Sequence, residues 1–340
     1  MKTKLCLTLT LLTFVTFAFV PNAFAQDDSP EYVVRQIYFH PSTNQHLQTI
    51  DTKLDTIVKD VQQFYADEME RHGFGRKTFR LETDALGQTI RHYVKGKFNE
   101  KYYEIGNIIA KAREEINEQF DMSEHFVNLI FIQSPDDPNL HYAHIGGTGG
   151  GNPFGGTANI TVRNLHKATK SNYLRLFHTV AHELGHAFGL GHDFRDDRYI
   201  MSYGALYFSD QLSYCAAEWL DAHRYFNTTH THNSFDHEPE INILELSFVS
   251  LPNTIRLRFE ITHSARLHQA QLITYTPWTG GHRILIDCKS LNANSTTIEF
   301  VTTELVPASQ YIILRFIDEH GNFADREFSN DIASVFPDSE

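Results

Sequence analysis

The sequence predicts an α/β (α+β) domain with a mixed sheet, followed by a smaller all-β sandwich. Three observations carry this. Over the first two thirds the apolar spacing switches between a strand period and a helix period. A polar stretch, 227–240 (NTTHTHNSFDHEPE), then interrupts it and reads as a linker. Beyond the linker the period is two, with Pro, Asn and Gly between short runs, which is the pattern of a sandwich of the immunoglobulin or fibronectin kind.

Taken in order, Glu31 to His40 reads as a first strand. Ile50, Leu54, Ile57, Val61, Phe64 and Tyr65 recur at helical spacing, so about 47–72 is an amphipathic helix, ended by Gly73 and Gly75. Thr78–Glu82 and Thr89–Lys95 alternate as strands across a turn at 84–87. Tyr102, Ile105, Ile109, Ala112, Ile116 and Phe120 mark a second helix. Phe126 to Ile132 is almost continuously apolar, as a buried central strand should be. Gly146 to Gly156 is glycine-rich, but no lysine follows at phosphate-loop spacing and no helix opens there. It reads instead as a mobile loop beside an edge strand at 157–162. Helical spacing resumes from Tyr173 to Phe188. After the linker, 255–261, Ala270–Thr276, Thr297–Val301 and Tyr311–Ile317 are strand candidates.

The 340 residues are 41% hydrophobic and 13% aromatic, enough for one large core and a smaller one. The formal net charge is −13 and no Lys/Arg run interrupts it, which argues against nucleic acid or an anionic membrane surface as partner. Lys2 and Lys4, the apolar run Leu5 to Val20, Pro21 and the Ala23-Phe24-Ala25 site form a signal peptide over 1–25, cleaved after Ala25. The expected product is secreted or periplasmic, without a membrane span, and active once the leader is removed. The domain expectation is a catalytic domain over 26–226, the linker 227–240, and a β-sandwich over 241–340. A chain ending near Asn227 is expected to fold and bind metal alone. Cys215 and Cys288 fall in different domains, so a bridge between them and a pair of buried thiols are both open.

The chemistry is carried by His182-Glu183-Leu184-Gly185-His186-Ala187-Phe188-Gly189-Leu190-Gly191-His192. It fits H-E-x-x-H-x-x-G-x-x-H. On a helix His182 and His186 project from one face and grip one ion. Gly189 permits a positive-φ turn that brings His192 to the third position. Three neutral imidazoles leave a fourth site open, the layout of a catalytic zinc. Five fixed positions at about 5% each, over about 300 starting points, arise by chance roughly once in ten thousand chains. A structural zinc would usually be closed by a fourth ligand, often cysteine, and none lies nearby. Glu183, beside the first histidine, is placed as general base. His230, His232 and His237 in the linker read as solvated. No ligand pattern for a structural calcium is legible.

After His192 comes Ile200-Met201-Ser202-Tyr203-Gly204, with Met201 nine residues beyond the histidine. With the histidine motif it resembles the metzincin clan of zinc endopeptidases, as that clan's Met-turn. The string HELGHAFGLGH is similar to matrixins, Met-x-Tyr to astacins and serralysins, and Asp193 after the third histidine to reprolysins. The resemblance implies a metzincin-like catalytic domain, one zinc on His182, His186 and His192, and Met201 beneath the metal. It also implies protein or peptide substrates. For Tyr203 it implies either a bond to zinc or to the transition state, or plain packing beneath the site. Asp193 orients a neighbouring group or serves as a turn residue. Arg195, Asp196 and Asp197 read as a solvated loop. The competing reading is a metzincin-fold binding or adhesion protein without activity, against which the intact Glu183 argues.

Overall fold

β1 (Val33–His40) is the strand around which the first sheet is built. Its alternate side chains enter two different cores. Val34 and Tyr38 join one apolar cluster, and Ile37 and Phe39 another on the opposite face. β3 (Phe126–Gln133) does the same, with Leu129 and Phe131 on one side and Ile130 and Ile132 on the other, which is why its sequence is apolar almost throughout. The computed structural model describes residues 32–44, 48–120, 122, 125–134, 144–152, 154–163, 169–202, 209–227, 240–249, 254–275, 283–303, 305 and 311–328. The leader at 1–25 and the polar stretch at 228–239, with its three histidines, lie outside these residues.

The first sheet has the order β2-β1-β3-β5-β4, where β2 is Arg91–Lys95, β4 His144–Asn152 and β5 Gly155–Arg163. All neighbours are parallel except β4, which runs antiparallel to β5 and forms the edge. Helices α1 (Gln48–Arg71) and α4 (Lys170–Ala187) cover one face, with Leu54, Val61 and Tyr65 meeting Val180 and Leu184. The opposite face is covered by α2 (Glu100–Glu104) and α3 (Ile108–Asn117).

Three expectations are corrected here. The second helix is two helices, because Gly106 takes φ +79° and Asn107 caps a fresh start by accepting from Ala110 N. Residues 78–82 make only an isolated bridge, Val34 to Leu81, ahead of the turn at 84–87. The glycine-rich segment is not a loop beside an edge strand: it is the edge strand β4, and 157–162 lies inside the sheet between β3 and β4.

The glycines have a packing reason. A Cβ on Gly149 would stand 2.4 Å from the Glu183 carbonyl oxygen, and one on Gly151 1.9 Å from that of Ala187. β4 lies directly on α4, at a distance only side-chain-free residues allow.

The second sheet is all antiparallel. β7 (Thr254–Tyr275) carries β8 (Arg283–Thr302) along one edge for its whole length. Its other edge is shared by β6 (Glu240–Val249), then β9 (Tyr311–Asp318), with β10 (Phe323–Phe328) outermost. The sequence suggested separate strands at 255–261 and 270–276. They are one strand with a register shift between Thr262 and Leu267, and the polar residues there are its irregularity. Leu257 and Phe259 before the shift and Leu272 after it join Phe300, Leu314 and Phe316 in one apolar cluster, the core of this single antiparallel sheet.

The two sheets meet through α5 (Tyr214–Ala222). Cys215 on α5 is disulfide-bonded to Cys288 on β8, 73 residues away. Gln269 Nε2 donates to Glu218 Oε2 at 2.7 Å and to the Cys215 carbonyl at 3.0 Å. Ile317 and Phe323 of the second sheet pack against the core of the first. Among the described residues no helix is long and apolar enough to cross a membrane.

Candidate metal centre

α4 begins with a capping box, in which Thr169 and Asn172 satisfy each other's backbone N–H groups. Leu176, Val180, Ala181, Leu184 and Ala187 form its buried face. It ends in a Schellman turn: Leu190 N donates to Gly185 O at 3.0 Å, Gly189 N to His186 O at 2.9 Å, and Gly189 takes φ +82°. Trp219 Nε1 donates to the Phe188 carbonyl at 2.8 Å and holds that turn from below. The chain then reverses, and His192 faces His182 and His186.

One ring nitrogen from each of the three histidines lies within 4.8 Å of the other two. His182 Nδ1 is 2.7 Å from Ile200 O, and His186 Nδ1 is 2.8 Å from Leu190 O. A carbonyl only accepts, so both Nδ1 atoms carry the proton and both Nε2 atoms present lone pairs. Yet His186 Nε2 stands 3.1 Å from His182 Nε2 and 3.0 Å from His192 Nε2. Lone pairs facing each other at that range repel unless a cation lies between them. Tetrahedral nitrogen ligands at about 2.0–2.1 Å from zinc would stand about 3.3 Å apart. The donor set and its spacing therefore fit a zinc ion.

Glu183 is buried, and burial pushes its carboxyl up to about 8. It lies against β4 so closely that a Cβ on Gly147 would be 2.5 Å from Glu183 Cγ. Met201 is fully buried under α4, and a Cβ on Gly185 would be 2.4 Å from its sulfur. The glycine between the two helical histidines is thus the seat of the methionine. Tyr203 lies outside the described residues.

Asp193 is buried and takes a bidentate ion pair from Arg195, Nε to Oδ1 at 2.8 Å and Nη2 to Oδ2 at 2.7 Å. Its backbone N–H donates to Met201 O at 3.1 Å, which ties the third-histidine strand to the methionine turn. The solvated-loop expectation is therefore corrected at Arg195, while Asp196 and Arg198 form an exposed pair.

Sequence reasoning missed the walls. A cleft of 330 Å³ opens at the three histidines. One wall is Gly147 to Gly151 of β4; the other is Ile273, Arg283 and Arg315 of the second sheet. Arg315 Nη1 donates to Gly189 O at 3.0 Å, and its Nε and Nη2 bond Asp325. No motif marks these residues, because only the contact between the two sheets brings them to the cleft.

The model of metallo-peptidase family M12 matches residues 43–222. Comparison with curated protein sequences gives no match. In structure the chain is similar to catalytically inactive OgpA from Akkermansia muciniphila in complex with an O-glycopeptide (glycodrosocin) substrate. That likeness is at 19% identity and TM-score 0.63, over 92% of this chain and 97% of that one. It is similar to wild-type OgpA at 19% identity and TM-score 0.64, over 92% of this chain and 96% of that one. At this identity the likeness speaks for the fold, including the second sheet. With its metzincin motif inside a match covering more than half its length, the chain belongs to metallo-peptidase family M12.

Proposed function

We propose that the chain is a zinc-dependent endopeptidase, with His182, His186 and His192 as the metal ligands and Glu183 as general base. The observation that carries this reading is the convergence of three Nε2 atoms beside a buried carboxyl at the foot of an open cleft.

A zinc ion held there supplies a Lewis acid and lowers the pKa of a bound water toward about 7. Glu183, buried and one residue from the first ligand, accepts the proton of the attacking water and returns it to the leaving amine. The backbone of β4 is a sheet edge that walls the cleft, where an extended peptide can add as a further antiparallel strand. Tyr203, two residues past Met201, is proposed to hydrogen-bond the oxyanion. Tyr203→Phe should then lower kcat with little change in KM. The leader sequence supports export to the periplasm or the medium.

The experiment is incubation of purified protein with unfolded casein, with and without chelator, reading new termini by mass spectrometry. Internal cleavage that chelation abolishes and zinc restores supports the proposal. Trimming only from a chain end would make it an exopeptidase, and binding without cleavage an inactive relative. Since OgpA was crystallised with an O-glycopeptide, O-glycosylated peptides and their bare counterparts belong in the same panel.

A further inference from the structure

Arg283 stands at the start of β8 in the second sheet. Its carbonyl accepts the N–H of His192 at 3.2 Å, which places it next to Ile284, the residue paired with the third histidine across the bridge. Arg283 is one of the residues lining the cleft, and its side chain is 51% exposed. Among the described residues the guanidinium has one partner, Asp325 Oδ2 at 2.8 Å from Nη1. Asp325 is already engaged by Arg315, with Nε to Oδ1 at 2.7 Å and Nη2 to Oδ2 at 3.1 Å. Two guanidinium groups share one carboxylate, so one positive charge is left over. Arg315 is buried, with its remaining bond to Gly189 O, and the excess is presented by Arg283. The facing wall, Gly149 to Gly151, has no side chains to compete for it.

We infer that Arg283 is a specificity residue that binds a carboxylate side chain of the substrate on the N-terminal side of the scissile bond. The inference rests on the endopeptidase reading. The side follows from strand direction. β4 passes Glu183 at Gly147 and the C-terminal end of α4 at Gly151. A peptide antiparallel to it runs the other way, so its residues beside Gly150, Gly151 and Arg283 precede the bond beside Glu183. At about 3.3 Å per residue, the Asp or Glu falls within about three residues of that bond. A guanidinium that is partly shielded and still has free N–H groups suits a carboxylate in bidentate geometry.

The test uses the full-length, zinc-loaded protein. Matched fluorescent peptides carry Glu or Gln at each of the three positions before the cleaved bond, or after it. At one position before the bond, kcat/KM for Glu should exceed that for Gln by about tenfold, the size of a charge-assisted hydrogen bond. Arg283→Gln should erase the ratio, and Arg283→Lys should keep part of it, with zinc content unchanged in both. Affinity of the same peptides is measured by fluorescence anisotropy on Glu183→Gln protein, with and without Arg283→Gln. If the zinc-loaded wild-type protein cleaves none of the peptides while the Glu peptide still binds more tightly and needs Arg283 to do so, this inference stands and the endopeptidase reading falls. Equal binding of Glu and Gln peptides, a preference that survives Arg283→Gln, or a preference only after the bond would overturn it.

Discussion

The backbone of His192 is paired with that of Arg283. His192 N donates to Arg283 O at 3.2 Å, and Leu285 N returns a bond to His192 O at 2.8 Å. The third histidine thus sits in a short parallel bridge to β8, a strand of the second sheet. Three residues beyond Leu285, Cys288 is bonded to Cys215 on α5. The candidate metal centre draws on both sheets, with two of its histidines on α4 and the third held against β8.

The first prediction concerns truncation. A chain ending near Asn227 loses β8, the disulfide, and the Arg315 bond to the turn at Gly189. His182 and His186 remain on their helix, but the strand bearing His192 has lost its backbone partners. Zinc affinity of the truncated chain should fall by at least tenfold relative to full length, by competition against a chromogenic chelator. Undiminished zinc affinity with a cooperative melt would show that the second sheet is dispensable to the metal centre.

The second prediction tests the packing of β4 on α4. Gly151→Ala would set a Cβ 1.9 Å from Ala187 O, both being backbone positions with little freedom to move. It should destabilise by about 1–3 kcal/mol, the cost of overpacking. Gly150→Ala meets nothing within 4 Å and should leave the melting temperature close to wild type. Equal melting temperatures for the two variants would break the argument that the glycines are there for close approach.

The third prediction concerns pH. Burial acts to raise the Asp325 carboxyl, but its hydrogen bond and ion pair with Arg315, and then the charge of Arg283, outweigh this and hold it below the ordinary carboxylate value. A depressed pKa favours the charged form in the folded state. The stabilisation is therefore present above the unfolded-state pKa of about 3.9 and is lost as pH falls through the lower folded-state value. Asp325→Asn should cost about 1–3 kcal/mol at pH 7, and the gap to wild type should close below about pH 4. Urea unfolding at a series of pH values measures it; a gap constant with pH would mean the loss is one of packing and not of charge.

The difference between what sequence reveals here and what it hides is physical. The HELGHAFGLGH string was legible because a metal site needs fixed residue types at fixed helical spacing, and the Gly189 turn needs a residue free to take positive φ. β1, α1 and β3 were legible from their periods. β4 was not: its glycines carry no hydrophobic alternation, and their meaning appears only when α4 is laid against them. The break at Gly106 was hidden by apolar residues that keep helical spacing on both sides of it. Arg283 and Arg315 were hidden for another reason. A single arginine in a mostly apolar strand carries no motif, and only the contact between the two sheets brings each of these to the cleft.

The last prediction separates ligand from base. Glu183→Gln keeps the shape of the side chain, its burial under β4 and its place on the helix, and removes only the capacity to take a proton. The bonds that orient the imidazoles, His182 Nδ1 to Ile200 O and His186 Nδ1 to Leu190 O, do not involve it. Zinc should therefore stay close to one per chain, while proteolysis falls by about 10²–10⁴-fold, the usual share of general acid–base catalysis. His186→Ala removes the donor that stands 3.1 and 3.0 Å from the other two Nε2 atoms, and with it the centre of the triad. That variant should lose the metal itself, and added zinc should not restore activity. Both quantities must be read on both proteins, metal by atomic absorption and activity on the same substrate. Loss of zinc from Glu183→Gln, or wild-type proteolysis by it, would reassign the glutamate; zinc retained at full affinity by His186→Ala would reassign the histidine.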